Sequence, residues 1–207
     1  MKNKKAEEPM IGTGFNGCEC SDDSSMPEAI DNKIYFYCDV STSTVLEFNK
    51  RLRDLDQKNY VSAIARQNPF DNSLNIDPII VYIQSPGGSV TSGLSAMDTI
   101  LQCKSPVYTV IDGAAASAAT FMSVVGTRRF ITPHSFALIH QLSQKFWGPY
   151  DEIKDEVINL DMFMETVKEI YIRHTKISGT QLEEILKHDL FFNATKCLEL
   201  GIVDYIK

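Results

Sequence analysis

Pro106-Val-Tyr-Thr-Val-Ile111, then Asp112, then Gly113-Ala-Ala-Ala-Ser117-Ala-Ala119 and Thr120-Phe-Met-Ser-Val-Val125, is the stretch on which the fold turns. The β-branched and aromatic run 106–111 predicts a buried strand, and the Ala-, Met- and Phe-rich run 115–125 predicts a helix. Ser117 is thereby expected on the first turn of that helix. Unpaired backbone N–H groups and the positive end of the helix dipole favour negative charge there, whether on an attacking alkoxide or a tetrahedral oxyanion. Small neighbours would let another backbone approach closely. Two readings stand on this stretch alone: Ser117 as a nucleophile, or a small-residue helix start packed tightly against a sheet.

Working outward, Ile79-Ile-Val-Tyr-Ile83 is a continuous apolar run that enters Ser85-Pro-Gly-Gly88, after which helical spacing resumes from Val90 to Leu101. Two successive strand–glycine turn–helix units imply parallel strands joined by crossover helices. Sites in such sheets form at the carboxyl ends of the strands. Gly87-Gly88 and Ser117 are therefore expected along one sheet edge.

Further out, Lys33–Cys38 predicts a strand, and Ser43 or Thr44 is expected to cap a helix carrying Val45, Phe48, Leu52 and Leu55. Gln67–Asn75 is turn-rich and predicts a surface loop. Phe130-Ile131 and Phe136–Ile139 predict short strands, the second delivering His140 at its end. Asp151–Arg173 predicts a long amphipathic helix, of a kind that projects to meet a partner subunit. Ser178 and Gln181 form a capping-box pattern, Asp189–Phe192 predicts a strand, and a helix from Ala194 stopped by Gly201 precedes a last strand over Ile202–Ile206.

Length and charge narrow the class. With 207 residues, 43% of them apolar, the chain suits one domain with appendages. A net charge of −7 argues against a nucleic-acid binder. No run approaches transmembrane length, and the start lacks the apolar core of a signal peptide. Five scattered cysteines suit reduced thiols in a cytoplasmic or cytosol-like compartment, and the lone pair Cys18 and Cys20 is a weak metal signal. Residues 1–30, glycine-bearing and then acidic and Ser-rich, are expected to be flexible or ordered by another chain.

A serine hydroxyl needs a base, and the base works best with a carboxylate that fixes its tautomer. His140 and Asp189 are the candidates. His140 has the alternative of a hydrogen-bonded core histidine, and Asp189 that of a strand cap or a partner for Lys187. Gly88 and Ala118 could offer two N–H groups to an oxyanion, or Gly87-Gly88 could serve only a tight turn. The order Ser, His, Asp differs from those of chymotrypsin, subtilisin and the α/β-hydrolases.

With these pieces assembled, the sequence resembles the Clp protease proteolytic subunit family, ClpP. The matching text is Tyr82-Ile-Gln-Ser-Pro-Gly-Gly88, Gly113-Ala-Ala-Ala-Ser117-Ala, Leu138-Ile-His140-Gln, and His188-Asp189-Leu-Phe followed by Ala194 and Leu200-Gly-Ile-Val-Asp204. The resemblance implies an α/β fold, a ClpP/crotonase-like spiral of βα units over residues 31–207 with a projecting handle at about 142–174. It implies a catalytic Ser117, His140 and Asp189, an oxyanion hole at Gly88 and Ala118, and no metal or cofactor. It further implies two stacked heptamers enclosing the active sites. An AAA+ unfoldase would spend the ATP and feed in unfolded polypeptide.

Departures from the family text mark a divergent member, phage- or plastid-type. Leu142–Gly148 lacks the usual proline and Gly-Gly pair, His188 replaces a common arginine, and Gln102 and Asp112 stand where the family is apolar in its unfoldase-docking pocket. The connection 58–77 is longer than usual. Alternatives of other kinds are a catalytically silent ring subunit, a virion maturation protease, and a crotonase-type acyl-CoA enzyme, which would leave Ser117 and His140 without a role.

Overall fold

The computed structural model describes residues 25–67, 70 and 73–207. The first elements are β1 (Glu28–Ile30), β2 (Lys33–Phe36), α1 (Thr42–Arg66), β3 (Ile79–Ser85) and α2 (Val90–Gln102). β4 (Val107–Ala116), α3 (Ala119–Val124), β5 (Arg128–Ile131) and β6 (Phe136–Leu138) follow. The chain finishes with α4 (Tyr150–His174), α5 (Gly179–Ile185), β7 (Phe191–Asn193), α6 (Ala194–Glu199) and β8 (Tyr205–Ile206). This is the mixed α/β fold that the two strand–turn–helix units predict.

β2, β3, β4 and β5 are mutually parallel neighbours, as those units require, and β8 extends the sheet parallel to β5. β4 is the longest strand and holds two partners on one side. Tyr108–Ile111 pair with β5, whereas Ala114–Ala116 pair in parallel with β6. Between those halves stands Gly113 at φ +99°, a conformation few side-chain-bearing residues adopt, so the strand can redirect its second half toward β6. The run Gly113–Ala116, expected as turn and helix start, is therefore strand. Ladder bonds to β6 outweigh the helix preference of three alanines.

Other boundaries move for identifiable reasons. Glu28–Ile30, assigned by composition to the flexible segment, pairs antiparallel with β2 through a tight turn in which Asp31 takes φ +53°. Residues 1–24, with Cys18 and Cys20, lie outside the described residues, as do 68–69 and 71–72 of the predicted loop. The cap of α1 is Ser41 rather than Ser43 or Thr44, its hydroxyl accepting from the Thr44 amide. α1 also runs well past Leu55, the last residue of the expected stripe, to Arg66, which pairs with Asp77 across the loop. The predicted final strand shrinks to Tyr205-Ile206 because Ile202 and Val203 are buried in a turn after α6.

The core lies between the sheet and its helices. Ile79, Val81 and Ile83 of β3 are fully buried beside Phe36, and Phe36 meets Phe48 of α1 edge-on at 5.6 Å. Each such side chain contributes about 1.5–3 kcal/mol of transfer free energy. The alternate β3 residues face the other way, where Tyr35 stacks on Tyr82 at 5.1 Å and Phe130 on Tyr205 at 5.2 Å. That face is only partly covered. In α4, the buried residues Val167, Ile170 and Tyr171 all lie in its C-terminal third, so its first four turns stand away from the core, as a projecting helix should.

Arg129 fastens the end of the chain. Its guanidinium forks onto the Asp204 carboxylate and also donates to the carbonyls of His174 and Gly201. Burial would raise the Asp204 carboxyl, but the hydrogen bonds and charge of Arg129 outweigh it and hold the group below its ordinary 3.8. A depressed carboxyl stabilises the fold above the unfolded-state pKa, and that contribution disappears as pH falls through the folded value. Asp204→Asn should therefore lower stability at neutral pH by about 1–2 kcal/mol, discounted for a partly exposed carboxylate. In urea titrations the gap to the parent should close below about pH 4.

Candidate active site

Ser117 does not sit on the first turn of a helix. It occupies the turn between β4 and α3 at φ +53°, and the helix begins two residues later. A non-glycine residue held left-handed costs roughly 1–2 kcal/mol, so the surroundings must over-determine it. They do so through both peptide groups. The Ser117 N–H donates to Leu138 O of β6 at 2.9 Å, while the Ser117 carbonyl accepts from the Thr120 amide at 2.9 Å and the Thr120 hydroxyl at 2.6 Å.

The glycine turn after β3 packs against this elbow. A Cβ on Gly87 would stand 2.6 Å from Ala116 O and 2.7 Å from Ser117 Cβ, and one on Gly88 would stand 2.3 Å from Val40 O. Both glycines have positive φ. Val40 clamps the turn from the far side, its N–H donating to Gly87 O and its carbonyl accepting from the Ser89 amide, while Ser85 Oγ accepts from the Gly87 amide. Among the described residues, neither the Gly88 nor the Ala118 amide donates a hydrogen bond. Two free donors thus flank Ser117.

β6 supplies the third part. Its register places Leu138 opposite Ala116, so His140 emerges two residues further on, next to the elbow. His140 Nδ1 lies 2.9 Å from Asp189 Oδ1. With Nδ1–H donating to the carboxylate, the neutral ring keeps the Nε2 lone pair as a proton acceptor. Asp189 is not in a strand; it occupies the loop between α5 and β7, and that loop is tied to the His140 segment by the Gln141 amide donating to Leu186 O. Two contacts bear on the structural roles open to these residues. Lys187 pairs with Glu184, not with Asp189, and the His140 side chain is 23% exposed rather than sealed in the core.

The Ser117 hydroxyl has no hydrogen-bond partner among the described residues, His140 included. Unliganded sites commonly hold nucleophile and base slightly apart and tighten on substrate. His188 pairs with Glu184, with its side chain 54% exposed and turned to the surface. Burial pushes the thiols of Cys38, Cys103 and Cys197 up to about 12, so none is a ready nucleophile. Among the described residues no cluster of His, Cys, Asp or Glu could hold a metal ion. The hydroxyl of Thr120 had no sequence signal, because a threonine early in an apolar helix carries no motif.

A strained serine at a strand–helix elbow, two free amides and a histidine–carboxylate pair suit acyl transfer through a serine. A family model described as Clp protease matches residues 52–207, which span β3 through β8 and include Gly88, Ser117, Ala118, His140 and Asp189. The chain belongs to the Clp protease family.

Proposed function

We propose that the chain is a serine endopeptidase that cleaves unfolded polypeptides through an acyl-enzyme, with Ser117 as nucleophile, His140 as base and Asp189 as the orienting acid. The observation that carries this reading is the 2.9 Å His140–Asp189 hydrogen bond, and the β4–β6 register supports it by pairing Ala116, next to Ser117, with Leu138, two residues before His140. Ser117 Oγ attacks the scissile carbonyl while His140 Nε2 takes its proton. The amides of Gly88 and Ala118 receive the oxyanion, each donor being worth about 2.7–4 kcal/mol in the transition state. His140 then returns the proton to the leaving amine, and water, deprotonated by the same nitrogen, releases the acyl group. No metal or cofactor takes part.

Membership of the family supports assembly into rings, and we place the chain in a barrel of two stacked heptamers in a cytosol-like compartment. The exposed apolar residues of α4, Val157, Ile158 and Met162 among them, support a role for this helix in ring contact. An AAA+ unfoldase that consumes the ATP would deliver substrate. Its docking face carries a local difference, because Asp112 is engaged by the Tyr37 hydroxyl rather than presenting an apolar side chain. Native mass measurement of the particle tests the stoichiometry.

A fluorophosphonate probe should label Ser117, and Ser117→Ala should abolish labelling and lower fluorogenic-peptide turnover by about 10³–10⁶-fold while the particle mass stays the same. Unlabelled Ser117 with undiminished peptide cleavage in Ser117→Ala would overturn the proposal. Asp189→Asn should lower kcat by about 10²–10⁴-fold, because the amide stabilises neither the required tautomer nor the imidazolium.

A further inference from the structure

The Ser117 carbonyl is held from the buried side by two hydroxyls in series. Thr120 Oγ1 lies 2.6 Å from Ser117 O and 2.6 Å from Tyr171 Oη near the end of α4. Thr120 is 0% and Tyr171 1% exposed, and the Tyr171 ring packs against Phe121 at 6.1 Å. Thr120 has one proton, and it goes to the carbonyl. Tyr171 must then donate to Thr120, and no other acceptor for the phenol occurs among the described residues. The chain of donors runs one way, from Tyr171 through Thr120 to Ser117 O. Burial raises the phenol above its ordinary value, so it stays a donor throughout the working pH range.

The carbonyl at the end of this chain belongs to the same planar peptide unit as the Ala118 N–H. In a trans peptide the two point in opposite directions, so anchoring the oxygen aims the hydrogen. The Thr120 amide already bonds that oxygen, and the hydroxyl adds a second, shorter bond from another direction. Together they fix the plane of the peptide unit. Hydrogen bonds accepted at C=O also polarise the unit and make its N–H a better donor. A Cβ on Gly87 would stand 3.2 Å from Ala118 N, so the aimed hydrogen belongs to the amide packed against the glycine turn.

We propose that Thr120 and Tyr171 are positioning residues that aim and polarise the Ala118 N–H toward the developing oxyanion, an assignment that rests on the peptidase reading above. Neither side chain touches substrate; both act through the Ser117–Ala118 peptide. Their effect is confined to states that carry charge on the oxygen, which separates the role from simple support of the fold. A substrate's ground-state affinity depends little on this amide, whereas the tetrahedral state depends on it directly.

The test uses the full chain in its assembled form. Thr120→Val removes the relay hydroxyl at constant shape, Tyr171→Phe removes only the distal donor, and Thr120→Ser restores the hydroxyl. Thr109→Val, which deletes another buried hydroxyl beneath the same helix, controls for stability. Readouts are the second-order rate of fluorophosphonate labelling, kcat and KM on a fluorogenic peptide, and the Ki of a peptide boronate, whose adduct is anionic and tetrahedral. Thr120→Val should lower kcat and labelling about 10–100-fold and weaken the boronate similarly, with KM within about twofold. Tyr171→Phe should show a smaller loss of the same pattern, Thr120→Ser most of the parental rate, and Thr109→Val no slowing. Parental labelling in both Thr120→Val and Tyr171→Phe overturns the assignment, as does a Thr120→Ser as slow as Thr120→Val, or a Thr109→Val slowed equally. Failure of the parent protein to label at Ser117 would instead defeat the peptidase reading itself.

Discussion

One backbone hydrogen bond sets the geometry of the site: the Ser117 N–H to Leu138 O. It continues the β4–β6 ladder one residue past the end of β4, at the point where the chain must turn toward α3. That bond holds Ser117 in its left-handed conformation and fixes which residue of the neighbouring strand lies alongside. Since parallel pairing leaves no freedom to slip by a single residue without exchanging buried and exposed faces, His140 has one place to go. Asp189 then reaches it from a loop. The strain at Ser117 is thus sustained by the hydrogen-bonded ladder of the sheet.

The glycine turn is the complementary constraint. Gly87 and Gly88 are squeezed between Val40 on one side and the Ala116–Ala118 backbone on the other, with no room for a Cβ at either position. A residue with a side chain would push the turn away from the elbow and separate the two free amides. The site is therefore assembled from close backbone contacts, and comparatively few side chains define it.

Much of this could be anticipated from the text of the chain, because strand–glycine turn–helix units and a caps-and-stripes pattern are local signals. β3, α2, the span of α4 and the Ser178 cap follow their periodicity. What could not be read locally was decided by pairing over distance. Ala114–Ala116 became strand because β6, twenty-two residues on, offered ladder partners. Glu28–Ile30 became strand because Asp31 tolerates a left-handed turn and β2 was adjacent. In the last turns of α1, Lys58–Arg66, Val61 and Ile64 are exposed and only Ala63 adds a buried apolar side chain, yet Asn59 and Arg66 reach Asp77 and hold the helix there. Likewise, Ser117, His140 and Asp189 were legible as candidates, but the left-handed turn and the Tyr171–Thr120 link are properties of the folded chain alone.

The strands at the margins of the sheet are very short: β1 and β7 have three residues each and β8 has two. A margin of that length offers too few unpaired amides and carbonyls to template the growth of a neighbouring molecule's sheet. The consequence is colloidal. Crowding at high local concentration would give neighbouring sheets little edge along which to fuse into aggregates.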